Sequence, residues 1–237
     1  MSQWLARTEL LLGPENLNRL GHARGAVLGL GGVGGAAAEA LCRSGVGHLM
    51  LVDCDDVDLT NLNRQLLATR PAVGQRKCEA ARRRLLDIND RLDLVCADEF
   101  YLPENSDFLY QWRPDFVIDA IDTVTAKLHL AGQCAAKGIC LISSMGTGNR
   151  LDPSLLRLGD IADTAGCGCP LARVMRRELK KREVARLPVV YSLEAPMAGI
   201  CAGGQEHGRH SPGSSAFVPP AAGYLLASAA VRAFLGL

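Results

Sequence analysis

A glycine-rich segment near the N-terminus constrains the fold of this chain more than any other feature. Residues 29–34 read Gly-Leu-Gly-Gly-Val-Gly. The apolar run 26–30 leads into this segment, and 36–44, an alanine-rich stretch typical of a helix, follows it. A second apolar run, 48–52, ends at Asp53. A strand, a glycine turn, a helix and a second strand within about 30 residues form the βαβ unit of nucleotide-binding folds.

The alternation of short apolar strands and helices continues through the first half of the chain. Such an alternation predicts parallel strands covered by helices on both faces. We therefore expect one α/β domain over 1–237, a Rossmann-like, doubly wound and mainly parallel sheet with a C-terminal extension. Residues 1–150 would be the nucleotide-binding half and 151–237 the substrate-binding half. The further predicted strands are 92–97, 116–119 and 139–143, and the predicted helices between them are 77–88 and 124–137.

The second half is less regular. An amphipathic helix is predicted over 171–186, and a loop rich in glycine and polar residues, expected to be mobile, over 194–212. A last helix is predicted over 221–234. The apolar segment around it is interrupted by prolines and an arginine, so it predicts a buried helix and no membrane span.

Composition narrows the class of protein. The chain has 237 residues, of which 48% are apolar, so disorder is excluded for most of it. A net charge of +1 argues against a protein that coats nucleic acid with its whole surface, although a local basic face fits. Nine cysteines at scattered spacings, with no leader-like N-terminus, predict a cytoplasmic protein with reduced thiols.

The glycine turn and Asp53 predict a nucleotide site. Glycines let the backbone approach phosphate oxygens, and the following helix presents free N–H groups to an anion. Asp53 is placed to bind ribose hydroxyls. These features alone also fit an NAD-dependent oxidoreductase, or a turn used only for helix packing. The glycines concerned are Gly29, Gly31, Gly32 and Gly34.

The residues after Asp53 favour a triphosphate. Arg64 and Lys77 can neutralise phosphate charge, and Asn61 can orient the phosphates. Asp122 follows a predicted strand and suits Mg²⁺, which prefers oxygen ligands. A carboxylate that attacks the α-phosphate would expel pyrophosphate, and catalysis would consist of positioning and charge stabilisation.

Four segments in this order resemble the ubiquitin-activating-enzyme-like adenylyltransferases. They read GLGGVG, DCDDVDLTNLNRQ, VGQRK and DAID. The resemblance implies that ATP and Mg²⁺ are bound, with Mg²⁺ at Asp122, and that Arg7 reaches the nucleotide of a partner subunit in a homodimer. Arg64, Lys77, Asp122 and Arg7 are the implied catalytic residues. The implied nucleotide-binding side chains are Asp53, Asp55, Asn61, Arg64, Gln65, Lys77 and Asp122.

The second half is similar to the tRNA threonylcarbamoyladenosine dehydratases of that superfamily. The similarity lies in 144–153, 169–182 and 215–219. It implies ATP-dependent cyclisation of threonylcarbamoyladenosine in the tRNA anticodon loop through an acyl-adenylate. The alternative is activation of a sulfur-carrier protein at its C-terminal glycine. The chain lacks the two Cys-x-x-Cys pairs with which those activators hold zinc.

A cluster of basic residues predicts where tRNA binds. Residues 173–186 contain seven basic and two acidic residues, which suits a track for phosphates, although an ordinary solvated helix face has the same pattern. The candidate nucleic-acid residues are Arg173, Arg176, Arg177, Lys180, Lys181 and Arg182.

The remaining candidates stay open on sequence alone. Cys201 could accept sulfur, with a cysteine desulfurase or a sulfur-acceptor protein as partner, and Cys167 with Cys169 could bind a metal or act in redox chemistry. Lys127 could face the nucleotide or lie on a helix surface.

Overall fold

The computed structural model describes residues 3–198 and 212–237. Within these residues, seven strands form one sheet. The strands are β1 (Arg24–Leu28), β2 (His48–Val52), β3 (Asp93–Ala97), β4 (Phe116–Asp119), β5 (Cys140–Ser144), β6 (Leu156–Asp160) and β7 (Pro188–Ser192). The helices are α1 (Ala6–Leu12), α2 (Pro14–His22), α3 (Gly34–Arg43), α4 (Lys77–Ile88), α5 (Asp107–Gln111), α6 (Val124–Lys137), α7 (Pro170–Lys181) and α8 (Val218–Leu235).

The sheet has the order β3-β2-β1-β4-β5-β7-β6. All neighbouring pairs are parallel except β6 and β7, which are antiparallel. The order reverses between β1 and β4, and a doubly wound sheet binds its ligands at such a switch point. The prediction of a Rossmann-like, mainly parallel α/β sheet is confirmed.

The register places the ends of the three central strands side by side. Leu28 of β1 pairs with Val52 of β2 and with Asp119 of β4. The segments that follow these strands therefore emerge together at one edge of the sheet. These segments are the glycine turn, the run from Asp53 and the segment that carries Asp122.

Two apolar clusters hold the helices against opposite faces of the sheet. On one face, buried residues of α3, α4 and α8 pack against strand residues that include Val27 and Leu51. On the other face, buried residues of α6 and α7 pack against residues that include Leu28 and Val117. Complete burial of one leucine-sized side chain contributes about 1.5–3 kcal/mol, so these clusters fix the positions of the strand ends.

Helix α8 is confirmed as a core helix. It is long and apolar enough to cross a membrane by length and composition, but 56% of it is buried inside the fold. Its Ala222, Leu226 and Ala230 lie in the same apolar cluster as Ala37 and Leu41 of α3.

The largest corrections to the sequence-based prediction concern α7, α8 and β7. Helix α7 ends at Lys181 and not at 186, because the amide of Val184 bonds back to the Leu179 carbonyl through a turn in which Glu183 is left-handed. Helix α8 begins at Val218, since prolines are tolerated in a first turn where no helical N–H bond is required. Strand β7 was not predicted. The predicted loop 194–212 falls mostly outside the described residues.

Candidate active site

A cavity of about 590 Å³ opens at the carboxyl ends of β1, β2 and β4. It lies at the switch point, where the fold itself predicts a ligand. Ten of the predicted site residues line it, from four separate segments of the chain. They are Gly29, Gly31, Gly32, Asp53, Asp55, Asn61, Arg64, Gln65, Lys77 and Asp122.

The glycine turn is required by its surroundings. Gly29 has a φ of 86°, and a Cβ there would lie 2.7 Å from the Ala120 carbonyl oxygen. Gly34 is the first residue of α3, and a Cβ there would collide with the Gly29 carbonyl. Gly34 is not among the residues that line the cavity, so its visible role is to let the turn and the helix pack closely.

Asp53 is a buried carboxylate that stabilises the backbone of the glycine turn at Leu30. Its side chain is 7% exposed, and its Oδ2 accepts a 2.6 Å hydrogen bond from the Leu30 amide. Oδ1 accepts a 2.9 Å bond from the amide of Asp55. Each oxygen keeps a second lone pair, so Asp53 can still accept bonds from a ribose.

Lys77 supplies a cation at the first turn of α4. It is 6% exposed, and its Nζ lies 2.6 Å from Asp55 Oδ2 and 3.6 Å from Asp53 Oδ1. The two carboxylates hold the ammonium group inside the cavity. A phosphate in this position would compete with Asp55, whose side chain is the more exposed of the two.

Asn61 ends a short 3-10 helix (Leu59–Asn61), and Arg64 lies in the turn that follows it. Asp58 accepts bonds from the amide and hydroxyl of Thr60, and Asn61 Oδ1 accepts one from the Asp58 amide. One turn on, Arg64 Nη1 donates to Thr60 O at 3.0 Å and to Asn63 Oδ1 at 2.9 Å. Within the described residues Arg64 forms no ion pair, so its charge is free for a phosphate.

Gln65 lines this cavity and carries an unpaired acceptor. It is 6% exposed, and its Oε1 is the one buried side-chain polar atom of the described residues that has no hydrogen-bond partner. A buried acceptor left unpaired costs about 1–3 kcal/mol. A hydrogen-bond donor from a bound nucleotide, or from a water bound with it, would remove that cost. Gln65 therefore suits a site that binds such a ligand.

Asp122 lies at the cavity with an exposed carboxylate. Its Oδ1 accepts a long hydrogen bond of 3.3 Å from the hydroxyl of Thr123. The segment that carries it leaves β4 at Asp119, whose Oδ1 accepts from the Ile121 amide at 3.1 Å. Asp122 thus presents hard oxygen atoms on a fixed backbone.

Lys127 neither faces the nucleotide cavity nor lies on a helix surface. It is fully buried, and its Nζ lies 2.9 Å from Asp119 Oδ2, 3.0 Å from Ser143 Oγ and 2.9 Å from the Ser144 carbonyl. The Ser143 hydroxyl also donates to Asp119 Oδ2, at 2.6 Å. This buried ion pair joins α6 to the ends of β4 and β5. It holds Asp119, the last residue of β4, from which the segment that carries Asp122 continues.

Cys54 is the cysteine that lines the cavity in the described chain. Burial, followed by the charges of Asp55 and Asp53, raises the pKa of its thiol to about 11. It is therefore protonated at neutral pH and is a poor nucleophile.

The other candidate cysteines show no metal cluster. Cys167 and Cys169 are buried, and Cys169 Sγ accepts a bond from the Ala172 amide at the start of α7. No group of three or more metal-binding side chains occurs in residues 3–198 and 212–237. Cys201 lies outside the described residues, so its role as a sulfur acceptor stays a prediction.

The basic side chains of 173–182 fall into three groups. Glu178 forms ion pairs with Arg177, Lys181 and Arg182, and these hydrogen bonds hold the pKa of its carboxyl near 2. Arg176 turns inward and donates to the carbonyl and hydroxyl oxygens of Thr164. Arg173 and Lys180 are exposed, and neither forms an ion pair with the described residues.

Arg7 lies on α1, away from the cavity of its own chain. It is exposed, and it is not among the cavity residues. The same short helix exposes Leu10 by 86% and Leu11 by 83%.

Sequence reasoning missed one wall of the cavity. Glu99, Phe100, Tyr101 and Leu102 line it just after β3. The signal was present, because the predicted strand 92–97 ends at the same edge of the sheet as the strand before Asp53.

The chain is similar to proteins of one known family. The ThiF family model matches residues 5–235. The chain is 40% identical to the tRNA threonylcarbamoyladenosine dehydratase of Bacillus subtilis in an alignment of 236 positions that covers 95% of this chain and 92% of that protein. It is 39% identical to the protein of that name from Escherichia coli over 173 residues, 73% of this chain and 64% of that protein.

Solved structures of the E. coli tRNA threonylcarbamoyladenosine dehydratase, TcdA, have the same fold. The complex with AMP superimposes with a TM-score of 0.90 and the complex with ATP with a TM-score of 0.88. Both are 32% identical, and the match covers 99% of this chain and 94% of theirs. The chain belongs to the ThiF family.

Proposed function

We propose that this protein catalyses the ATP-dependent dehydration of threonylcarbamoyladenosine in the anticodon loop of tRNA. The carboxylate of the modified adenosine would attack the α-phosphate of ATP, and internal attack on the resulting acyl-adenylate would close a ring and release AMP. The observation that carries the proposal is the cavity, where Asp53, Arg64, Lys77 and Asp122 meet in a chain matched almost end to end by a dehydratase of that name.

Each residue of the cavity has a role that follows from its chemistry. Asp53, fixed by two backbone amides, accepts bonds from the ribose. Arg64 and Lys77 bind the phosphates and stabilise the charge that develops when pyrophosphate leaves. Glycine N–H groups at the start of α3 approach the phosphate from the other side. Holding carboxylate and phosphate together supplies a large share of the rate enhancement.

We assign a divalent metal to Asp122. Its exposed carboxylate has one weak partner, and Mg²⁺ favours one or two carboxylates together with phosphate oxygens. Bound there, Mg²⁺ would neutralise phosphate charge. The buried pair of Asp119 and Lys127 holds the backbone beneath it.

We propose that tRNA phosphates bind along α7, in the cytoplasm. The exposed and unpaired cations Arg173 and Lys180 are the strongest contributors, because Arg177, Lys181 and Arg182 already share Glu178. Arg176 supports the helix from below through Thr164.

We also propose a homodimer in which α1 meets the second copy. The exposed leucines on α1 favour burial against another chain, and Arg7 of one copy would then reach the nucleotide of the other.

The test is a reconstituted reaction with ATP and tRNA that carries threonylcarbamoyladenosine. The expected products are AMP, pyrophosphate and a nucleoside lighter by one water, detected by mass spectrometry. The matched control is the same tRNA without the threonylcarbamoyl group, which should yield none of them. If ATP–pyrophosphate exchange instead requires a small carrier protein with a C-terminal glycine, the protein is a sulfur-carrier activator.

A further inference from the structure

Phe217 is an exposed aromatic residue on a firmly held backbone. It is 58% exposed, yet the next residue, Val218, is fully buried and begins α8. The Phe217 carbonyl accepts a bond from the Ala221 amide, and its amide donates to Ser215 Oγ. The ring is therefore held out into water by a rigid scaffold, at a cost that a bound partner would remove.

Two contacts place Phe217 beside the phosphate end of the cavity. Pro219, two residues further on, has its Cβ 3.0 Å from the place where a Cβ on Gly32 would lie. Asn63 Nδ2 donates to the Ser214 carbonyl at 3.1 Å, while Asn63 Oδ1 accepts from Arg64. The segment 214–219 thus borders the glycine turn directly and Arg64 through Asn63.

The position of Phe217 differs from that of the other exposed phenylalanine of this region. Phe100 follows β3, which neighbours β2, so it lies on the side of the cavity where Asp53 would bind the ribose. Phe217 does not itself line the cavity, but its neighbours Pro219 and Ser214 contact Gly32 and Asn63, so it borders the cavity at the glycine turn. Among the described residues, no aromatic ring or cation stacks on it.

We propose that Phe217 is a stacking platform for a nucleobase of the tRNA anticodon loop, and this proposal rests on the proposed function. In this proposal the modified adenosine leaves the stack of the loop so that its carboxylate enters the cavity, which costs a few kcal/mol. Aromatic side chains replace lost stacking by binding the flat face of a base in single-stranded RNA. Phe217 is a specificity residue that selects an RNA-borne carboxylate over a free one.

The experiment compares Phe217→Ala, Phe217→Leu and Phe217→Trp with the wild-type protein on tRNA that carries threonylcarbamoyladenosine. Loss of one stacked base corresponds to a rise of about 5-fold to about 160-fold in the KM for tRNA. We expect this rise for the alanine and leucine variants, recovery with tryptophan, and an unchanged KM for ATP. Tyr224→Ala, which removes an exposed ring from α8 itself, is the matched control and should keep the wild-type KM.

The possible results separate the two proposals. A wild-type protein that forms no dehydrated nucleoside overturns the proposed function itself. An active wild type with an unchanged KM for tRNA in Phe217→Ala overturns the role of Phe217 alone. The same conclusion follows if leucine restores the KM as well as tryptophan does, or if Phe217→Ala changes the oligomeric state, because the ring would then cover an apolar or protein surface.

Discussion

The sequence contains a cluster of charged residues at the nucleotide cavity and another on the basic helix α7. Folding brings the charged side chains of the cavity together but points those of α7 in different directions. At the cavity, residues up to 93 positions apart, from Gly29 to Asp122, come to one edge of the sheet because parallel strands end there together. On α7, residues close in sequence separate, since a helix turns each side chain in its own direction. A charge pattern therefore predicts a site better when the topology of the fold collects its members.

The largest effect is expected at the buried pair that supports the cavity. Lys127→Met leaves the Asp119 carboxylate buried without its cation, so the free energy of unfolding should fall by about 3–5 kcal/mol. Urea unfolding measures it. Combining Lys127→Met with Asp119→Asn should cost less than the sum of the two single changes, and simple additivity would show that the two groups do not interact.

The second-largest effect is expected when the charge of Arg64 is removed from the cavity. Arg64→Ala removes a charge that binds phosphate during the reaction, so turnover should fall by about 100-fold to 1,000-fold while unfolding in urea stays unchanged. ATP–pyrophosphate exchange in the presence of modified tRNA measures the loss. The matched control is Arg83→Ala, an exposed arginine of α4 outside the cavity. Equal rates in the two variants would contradict the assigned site.

A smaller effect should distinguish the two groups of cations on α7. Removing Arg173 and Lys180 together should weaken tRNA binding and reduce the slope of log affinity against log salt by about 2. Removing Lys181 and Arg182 should change the slope less, because Glu178 already neutralises part of their charge. Fluorescence anisotropy at several salt concentrations gives both slopes, and a larger change in the second variant would reverse the assignment.

The smallest effect is expected at the thiol of the cavity. Cys54→Ser should retain nearly full turnover, because the proposed reaction uses no thiolate. The raised pKa of Cys54 keeps the folded thiol protonated up to about pH 11, so its alkylation in the folded protein should stay slow near neutral pH and accelerate toward that value. Labelling followed by mass spectrometry measures the rate at each pH. Rapid alkylation of Cys54 at pH 7 would contradict the assigned protonation state.

Sequence reasoning succeeded where one local rule decides the outcome. The bounds of β2, β4, α4 and α6 are those predicted. The two strands are short apolar runs that end at a polar residue, and the two helices fill segments between predicted strands. It failed where long-range contacts decide. The inward turn of Arg176 depends on Thr164, and the burial of Lys127 depends on Ser143 from another strand.

The central claim, that a carboxylate oxygen of the tRNA attacks the α-phosphate, can be tested by following that oxygen. Both oxygens of the threonylcarbamoyl carboxylate are labelled with a heavy isotope, and the mass of the AMP released in one turnover is measured by mass spectrometry. The account predicts that each AMP carries one labelled oxygen, because the acyl-adenylate passes that atom to AMP when the ring closes. Unlabelled AMP, with the label retained in the nucleoside or released as water, would contradict it.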